Sequence, residues 1–234
     1  MIEEIIIQPG VYYYPEYFSR PEQAALRDEI MNHAKVLGWF QPVLPRWGTP
    51  FSVKMLNFGS LGWVSDKSGY RYQSTHPDTG AVWPPIPVNM LSLWHIMRSR
   101  FDKSASNRDK CHSGNPASGS DTQHQRFDNP EACLINYYGP AAKMGLHQDK
   151  DEQDLEAPVV SVSLGDTAMF RIGTTERNGP VQSLKLRSGD VLVFGGPARL
   201  AFHGISRIYP GTSALLPEGG RLNLTLRRVT KPTV

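Results

Sequence analysis

Three residues of the sequence, His147, Asp149 and His203, are of the types that bind transition metals. His147 and Asp149 are two positions apart, so in an extended strand their side chains project from the same side of the backbone. His203, far along the chain, would complete a set of two imidazoles and one carboxylate. Such a set suits non-haem Fe(II), because it leaves coordination positions open for a cosubstrate and for oxygen. The His-x-Asp spacing also occurs by chance, so the hypothesis needs support from other parts of the chain.

The segment from residue 221 to residue 227 alternates polar and apolar side chains with the period of a β-strand. Arg221 and Arg227 therefore share one face, and three leucines share the other. An edge strand with a solvated polar face is one interpretation. The other is a carboxylate clamp, because the planar guanidinium group of arginine can bind a carboxylate through two hydrogen bonds. An iron site together with such a strand is what a 2-oxoglutarate oxygenase needs.

Composition is that of a globular protein, with 39% hydrophobic and 20% charged residues. A chain of 234 residues can bury a substantial core as one structural unit. The formal net charge of +3 permits nucleic acid as a partner without requiring it. Two cysteines favour a reducing cytosol, and we find neither a signal peptide nor a run of about 20 apolar residues. These features predict a cytoplasmic protein that does not enter a membrane.

The N-terminal half contains the elements that are expected to support the site. Short strands are predicted at residues 5–7 and 11–14, and amphipathic helices at residues 20–37 and 87–102. Glycine, proline and aromatic residues dominate residues 41–87, which indicates short strands and loops. The aromatic residues there either cover the edge of the core or form a stacking surface for a flat ligand such as an extruded base.

A polar run from residue 103 to residue 126 separates the two halves and is predicted to be a solvent-exposed, mobile insertion. It contains Cys111, His112 and His124, for which a zinc site is conceivable. We do not favour such a site, because no second cysteine pair lies at the spacing of a zinc finger.

Strand-like segments with turn signals between them follow from residue 130 to the end. Many short strands without intervening helices are typical of an all-β barrel or a jelly roll. The predicted strands span residues 132–138, 159–164, 168–172, 183–186, 190–194, 200–203 and 221–227.

From Ala132 to Arg228 the sequence resembles the AlkB family of alkylation-repair dioxygenases. The motifs that carry the resemblance are Cys133–Tyr138, Leu146–Glu152, Ala157–Gly165, Gly189–Val191, Phe202–Gly204 and Arg221–Arg227. A further stretch, from Leu61 to Tyr72 with Trp83-Pro84, is similar to the nucleotide-recognition region of that family. The chain departs from the family pattern in its longer polar insertion and in Phe194, which stands where a tryptophan is common.

The resemblance implies an α+β, mainly β fold, in which a double-stranded β-helix (jelly roll) core carries an N-terminal lid of helix and strand that recognises the nucleotide. Residues 1–130 would form the supporting helices and the lid, and residues 131–234 the core. The implied Fe(II) ligands are His147, Asp149 and His203, and the implied 2-oxoglutarate ligands are Asn136, Tyr138, Arg221, Asn223 and Arg227. The residues implied to surround the substrate base are Met55, Trp63, Tyr70 and Asp151. Three further substrate-binding residues, Leu134, Ser161 and Arg177, are implied to lie near the pocket.

The implied activity is oxidative demethylation of 1-methyladenine and 3-methylcytosine in single- or double-stranded DNA, with RNA as a further candidate. Fe(II) would be the cofactor, 2-oxoglutarate and O2 the cosubstrates, and a monomer is expected. Two alternatives stay open: an oxygenase of the same chemistry that acts on RNA, a protein or a small molecule, and a metal-binding jelly roll without catalytic activity.

Overall fold

Strands dominate the computed structural model, which describes residues 3–110 and 129–231. The strands are β1 Ile5–Gln8, β2 Val11–Tyr14, β3 Val53–Gly59, β4 Gly62–Asp66, β5 Gly69–Gln73, β6 Ala132–Tyr138, β7 Met144–His147, β8 Val159–Gly165, β9 Thr167–Ile172, β10 Gln182–Leu186, β11 Val191–Phe194, β12 His203–Tyr209 and β13 Arg221–Arg227. The helices are α1 Arg20–Leu37 and α2 Val88–Lys110, with a short 3-10 turn at Gly196–Ala198.

Two antiparallel sheets form the core. The larger sheet has seven strands in the order β1-β2-β11-β8-β13-β6-β3, and the smaller has four in the order β10-β9-β12-β7. A cavity between them is lined by residues of β6, β8, β11 and β13 on one side and of β7, β9, β10 and β12 on the other. The two sheets therefore enclose the cavity as the two walls of a jelly roll, and the predicted fold is confirmed.

The two helices cover the face of the larger sheet that points away from the cavity. In α1 the residues with the period of a helix, Leu26, Ile30 and Ala34, are buried. The ring of His33 packs on that of Phe58 in β3 at 5.2 Å. Phe101 of α2 packs on Tyr12 of β2 in the same way, with the ring centroids 6.0 Å apart. Strands β6 and β13 lie between β3 and β2 in this sheet and are buried almost throughout.

The fold corrects the sequence prediction at three places. Helix α2 continues to Lys110, so residues 103–110 are helical and do not belong to an irregular insertion. The rest of the predicted insertion, residues 111–126 with its conceivable zinc ligands, lies outside the described residues. The strand predicted at residues 200–203 is wrong in its position, because β12 begins at His203 and runs on to Tyr209. Strand β7 was not among the predicted strands.

Strands from both halves of the chain share the larger sheet. β1, β2 and β3 precede residue 130, yet β2 pairs with β11 and β3 pairs with β6. Only the hairpin of β4 and β5 forms a sheet of its own among the described strands. The boundary at residue 130 stays a prediction, and the strand pairing joins the two halves into one structural unit. Within residues 3–110 and 129–231, no helix has the length and apolar character of a membrane span.

Candidate active site

The two histidines meet because β7 and β12 are neighbours in the smaller sheet. His203 pairs directly with His147 in the antiparallel register, and the centroids of the two rings are 4.5 Å apart. Gly204 follows His203 where the backbone of β7 comes close. A Cβ atom at Gly204 would lie 2.4 Å from the carbonyl oxygen of Met144, so only glycine allows this approach of the strands.

Asp149 completes a cluster that could hold a metal ion. One ligand atom from each of His147, Asp149 and His203 lies within 4.8 Å of the others. Nε2 of His147 and Nε2 of His203 are each 3.6 Å from a carboxylate oxygen of Asp149. The two imidazoles therefore direct the same nitrogen toward one point beside the carboxylate.

Hydrogen bonds of the other ring nitrogens determine the tautomers of the histidines. Nδ1 of His147 lies 2.9 Å from the carbonyl oxygen of Gly145, and Nδ1 of His203 lies 3.0 Å from that of Ala201. A carbonyl oxygen can only accept, so each Nδ1 donates, and the neutral form of each ring has its lone pair on Nε2, where it can bind a metal. Burial lowers the pKa of His203 to about 4, so this imidazole is neutral at physiological pH.

The carboxylate of Asp149 belongs to a buried network of charges. Nη2 of Arg227 lies 2.8 Å from Oδ2 of Asp149, and Nη1 of Arg227 donates to Glu152 at 2.9 Å. Burial by itself raises the pKa of Asp149, but the charge of Arg227, joined at acid pH by the protonated imidazoles of His203 and His147, outweighs it and holds the pKa well below its ordinary value. The carboxylate is thus ionised, which is the form that binds a cation.

Arg199 and Tyr72 tie the same network to the surrounding chain. Arg199 donates to the backbone carbonyl of Asp149 at 2.6 Å and to the carboxylate of Glu152 at 3.1 Å. The hydroxyl of Tyr72, on β5, donates to Glu152 and accepts from Arg227 at 3.2 Å. Asp149 is therefore held in place through its main chain as well as its side chain.

Arg221 is different from Arg227 because its guanidinium group faces the cavity largely without partners. Its side chain is buried, with 1% relative exposure, and Nη2 donates to the Ser163 hydroxyl at 2.8 Å. Among residues 3–110 and 129–231, Nε and Nη1 have no hydrogen-bond partner, and no ion pair involves Arg221. Burial lowers the pKa of Arg221 to about 10. A buried cation with two free donors is a site that a ligand carboxylate would complete.

The cavity around Arg221, with a volume of about 50 Å³, contains every residue predicted to bind 2-oxoglutarate. These are Asn136, Tyr138, Arg221, Asn223 and Arg227. Strand β13 lies between β6 and β8, so the edge-strand interpretation of this segment is wrong. His147, Asp149 and His203 line the same cavity, so a ligand that contacts Arg221 can also reach the candidate metal position.

A second pocket, with a volume of about 610 Å³, opens outward from the metal cluster. It shares His147, Asp149 and Arg227 with the inner cavity, so the two spaces adjoin. The predicted substrate residues that line it are Met55, Trp63, Tyr70, Leu134, Asp151 and Arg177. Ser161 is placed elsewhere. It lines the inner cavity, where its hydroxyl accepts a hydrogen bond from Asn223 at 2.8 Å.

The outer pocket has one aromatic wall, built on the hairpin of β4 and β5. Trp63 and Tyr70 are diagonal neighbours across the hairpin and stack with their centroids 5.6 Å apart and their planes at 18°. The indole N–H of Trp63 donates to the carboxylate of Asp151 at 2.8 Å. This bond joins the hairpin to the segment that follows the metal cluster, and it places a negative charge beside two aromatic rings.

Comparison with known proteins agrees with this geometry. The family model of the 2OG-Fe(II) oxygenase superfamily matches residues 10–227. An alpha-ketoglutarate-dependent dioxygenase AlkB homolog of Caulobacter vibrioides is 44% identical over 224 residues, which cover 96% of this chain and 90% of that protein. The chain belongs to the AlkB family of Fe(II)- and 2-oxoglutarate-dependent dioxygenases.

Two further relatives extend the similarity within the AlkB family. A DNA N(6)-methyladenine demethylase, ALKBH1C of Arabidopsis thaliana, is 34% identical over 239 residues, which cover 95% of this chain and 49% of that protein. The solved structure of OsALKBH1 superposes with a TM-score of 0.70 at 32% identity and covers 97% of this chain and 100% of that one. The fold, the dioxygenase class and the cofactors Fe(II), 2-oxoglutarate and O2 are thereby confirmed for this chain.

The residues present fit these AlkB cofactors on independent structural grounds. Two imidazole nitrogens and one carboxylate form a donor set suited to Fe(II) with open positions. Arg221 and Asn136 both line the adjoining cavity. Nε and Nη1 of Arg221 and the side-chain oxygen Oδ1 of Asn136 are buried there without a hydrogen-bond partner among the described residues. Phe194 packs its ring 4.8 Å from that of His203 and so forms part of the wall beside the metal cluster.

Three important residues of the site, Tyr72, Glu152 and Arg199, were missing from the predicted set. Glu152 follows Asp149, Lys150 and Asp151, and a run of charged residues normally indicates an exposed loop. It is nevertheless buried, because Arg227 and Arg199 both bind its carboxylate. No local pattern identifies such a residue, since its partners come from segments far along the chain.

Proposed function

We propose that the chain oxidatively demethylates N-alkylated bases in nucleic acid, with 1-methyladenine and 3-methylcytosine in DNA as its substrates. The observation that carries the proposal is the outer pocket, in which stacked Trp63 and Tyr70 and the carboxylate of Asp151 lie beside the cluster of His147 and Asp149. When bound, Fe(II) with 2-oxoglutarate and O2 supplies the oxidation of an N-methyl group, and the products are the repaired base, formaldehyde, succinate and carbon dioxide.

In this proposal each part of the site has a separate task. His147, Asp149 and His203 hold the metal, and the convergence of their ligand atoms within 4.8 Å of one another supports that role. Arg221 binds one carboxylate of 2-oxoglutarate through its two free donors. Arg227 lies next to Asp149 at the junction of the two pockets, where it can contact the other carboxylate while it still pairs with Asp149.

The remaining predicted residues of the inner cavity complete the 2-oxoglutarate site. Asn136 and Tyr138 extend from β6, and Asn223 extends from β13 between the two arginines. The side-chain amide of Asn223 donates hydrogen bonds to the hydroxyl of Ser161 and to the carbonyl oxygen of Val162, and these bonds hold the side chain in one rotamer. We assign Ser161 to positioning Asn223, and this assignment replaces its predicted place among the substrate-binding residues near the pocket.

The outer pocket favours a cationic base over a neutral one. Methylation at N1 of adenine or N3 of cytosine leaves the base positively charged, and the carboxylate of Asp151 attracts that charge. Trp63 and Tyr70 add cation–π attraction to the stacking of a planar ring. A base methylated at these positions also pairs poorly, which lowers the cost of extruding it from a duplex. Met55 on β3 and Leu134 on β6 are diagonal neighbours in the sheet, and both line the pocket with apolar side chains.

Formaldehyde release from an oligonucleotide that contains 1-methyladenine tests the proposal. The reaction contains Fe(II), ascorbate and 2-oxoglutarate, and a parallel reaction omits 2-oxoglutarate. We expect release that depends on 2-oxoglutarate for the wild type. Asp149→Ala is expected to abolish it, because the variant lacks the only carboxylate among the three proposed metal ligands. Asp28→Ala is the matched control, since Asp28 is exposed on α1 and is paired with Arg27.

The outcomes separate the alternatives. Succinate formation without formaldehyde from any methylated oligonucleotide would keep the oxygenase chemistry and reject the nucleobase as substrate. Undiminished turnover by Asp149→Ala would reject the metal site. Faster turnover of the neutral N6-methyladenine than of 1-methyladenine would reject the selection of a cationic base.

We further propose that the chain acts as a monomer and binds methylated DNA in single- or double-stranded form. We also propose that it resides in the reducing cytoplasm. Cys133 is buried and forms no disulfide within the described part of the chain, which supports the reducing compartment. Sedimentation equilibrium tests the monomer, and a dimer mass at micromolar concentration would contradict it. Parallel assays on matched single strands, duplexes and RNA rank the three substrates.

A further inference from the structure

A short arm beside the outer pocket, residues 42–51, has a tight turn at its tip. We call this turn, residues 44–49, the rim turn. The carbonyl oxygen of Leu44 accepts hydrogen bonds from the backbone of Trp47 at 3.2 Å and of Gly48 at 2.7 Å. Gly48 has a φ of +64°, a conformation that favours glycine. Leu44 itself lines the pocket, as do Pro50 and Phe51 just after the turn. The rim turn therefore lies at the mouth of the pocket.

The arm that carries the rim turn is firmly anchored to neighbouring strands. Val43 donates its backbone N–H to Ser65 of β4 at 3.1 Å, and the Ser65 hydroxyl donates back to the carbonyl oxygen of Val43 at 2.5 Å. The backbone of Phe51 donates to Pro42 across the arm at 2.9 Å. The tip is thus presented from a defined scaffold that is shared with the aromatic wall on β4.

Two side chains at the tip point away from the core and are paired only with each other in the structure. Trp47 has 69% relative exposure, the largest exposure of any aromatic side chain among the exposed hydrophobic residues of the described chain. The guanidinium carbon of Arg46 lies 5.1 Å from the centre of the Trp47 ring. Within residues 3–110 and 129–231, no ion pair involves Arg46. Neither residue lines the outer pocket, although their neighbours in the chain do.

We propose that Trp47 and Arg46 bind the nucleotide next to the extruded base, with the indole stacking on its base and the guanidinium group contacting its phosphate. This inference rests on the proposed function and names a second binding position for the same substrate. Extrusion of one base exposes the faces of its neighbours, and an exposed tryptophan can stack on any base regardless of sequence. Arginine beside the ring supplies both cation–π attraction and a phosphate contact.

The charge around the pocket mouth favours a nucleic acid over a protein partner. Lys143, Lys150 and Arg177 line the outer pocket and are all exposed. Together with Arg46 they place cations at the pocket and on its rim. A phosphate backbone that enters this mouth to deliver one base meets positive charge along its path. An apolar protein partner would instead displace water from these charges and supply no negative charge in its place.

Substrates of different length test the proposal. We would measure KM and kcat for 1-methyladenosine 5′-monophosphate and for a pentanucleotide with 1-methyladenine at its centre. Trp47→Ala is expected to raise the KM for the pentanucleotide about tenfold, the effect of one lost stacking contact, with kcat unchanged. The KM for the mononucleotide is expected to change less than twofold, because it carries no neighbouring base. Trp47→Phe should restore most of the pentanucleotide affinity.

Two further variants and a direct binding measurement complete the design. Arg46→Ala is expected to raise the pentanucleotide KM and to reduce its dependence on salt concentration, because one phosphate contact is lost. Val36→Ala, at a site on α1 with 82% exposure, is the control for loss of an exposed apolar side chain. Binding of an unmethylated, fluorescently labelled pentanucleotide is followed by anisotropy for the same set of proteins.

The proposal is supported if Trp47→Ala weakens pentanucleotide binding and leaves the mononucleotide unaffected. An unchanged pentanucleotide KM and anisotropy curve would overturn it. Equal losses on both substrates would also overturn it, because they would show a role inside the catalytic pocket. Sedimentation equilibrium could also show that Trp47→Ala has a different mass in solution from the wild type while it binds the nucleotides equally well. That result would overturn the proposal and assign the tip to a protein contact. If the wild type demethylates neither substrate, the proposed function fails, and the anisotropy series still decides whether Trp47 binds a strand.

Discussion

Replacement of Arg221 by methionine is expected to stabilise the metal-free protein. A lowering of the Arg221 pKa from 12.5 to about 10 corresponds to about 3 kcal/mol against burial of the charged group. Neutral pH lies below both values, so the group is charged in the folded and the unfolded state and the whole penalty is present. Methionine removes the charge and loses one hydrogen bond, to Ser163, worth about 1 kcal/mol. We therefore expect the free energy of unfolding to rise by about 2 kcal/mol, or Tm by about 4–8 °C.

The same replacement should remove the stabilisation that 2-oxoglutarate gives to the wild type. At a concentration of 100 times its Kd the ligand adds about 2.7 kcal/mol to the stability of the wild type. Loss of one partner of a buried charge pair costs about 2–5 kcal/mol, which raises Kd by about 30-fold or more. Ligand stabilisation of Arg221→Met then falls below about 1 kcal/mol at the same concentration. Thermal unfolding by circular dichroism measures both effects, with Mn(II) in place of iron for the ligand series.

Arg227→Met is the matched control on the same strand. Arg227 is paired with Asp149 and Glu152, so its removal leaves two buried carboxylates uncompensated. We expect this variant to lose about 3–5 kcal/mol in the metal-free state, a change opposite in sign to that of Arg221→Met. Destabilisation of both variants by similar amounts would refute the reasoning, because it would show that the packing of the side chains outweighs their charge. An undiminished response of Arg221→Met to 2-oxoglutarate would refute the carboxylate assignment.

Three other substitutions test separate parts of the site. Tyr72→Phe removes the hydroxyl that forms hydrogen bonds with Glu152 and Arg227. We expect the free energy of unfolding in urea to fall by about 1–2 kcal/mol and the KM for 2-oxoglutarate to rise. Gly204→Ala places a Cβ atom 2.4 Å from the carbonyl oxygen of β7, so the histidines separate and metal affinity measured by titration falls about tenfold or more. Asp151→Ala removes the negative charge at the pocket, and kcat/KM should fall more for 1-methyladenine than for the neutral ethenoadenine.

Each of these expectations has a clear contrary result. A Tyr72→Phe protein with wild-type stability and an unchanged KM for 2-oxoglutarate would show that the hydroxyl does not position Arg227. Wild-type metal affinity of Gly204→Ala would show that β7 and β12 can separate without moving the ligands. Equal losses of Asp151→Ala on both lesions would remove its role in selecting a charged base.

Much of the candidate site could be predicted because its signals are local or lie in regular strands. The two-residue spacing of His147 and Asp149 and the period-two alternation of β13 depend only on backbone geometry. The alternation places both arginines and Asn223 on one face whatever the rest of the chain does. Helix α1 was predicted with its observed bounds, since its apolar period lies within one continuous segment.

The elements that were missed or misplaced lack such local signals. Strand β7 has only four residues, with a glycine among them, so neither its length nor its composition marks a strand. β12 was placed too early, because its polar residues obscure the alternation after His203. Helix α2 continues through polar residues beyond 102, which carry no apolar period. In each case the backbone is ordered by its neighbours in space.

The sequence by itself identified the candidate ligands of the metal and of 2-oxoglutarate, since the residue types, their spacing and their strand faces are properties of short segments. Only the tertiary structure decided how these residues are paired. In the folded chain Arg221 keeps unpartnered donors, whereas Arg227 pairs with Asp149. The sequence does not distinguish the two arginines, because both lie on the same face of β13. The tertiary structure also buried Glu152 in a run of charged residues. The physical reason is that charge pairing and desolvation depend on which distant segments meet, and a local pattern contains no information about that.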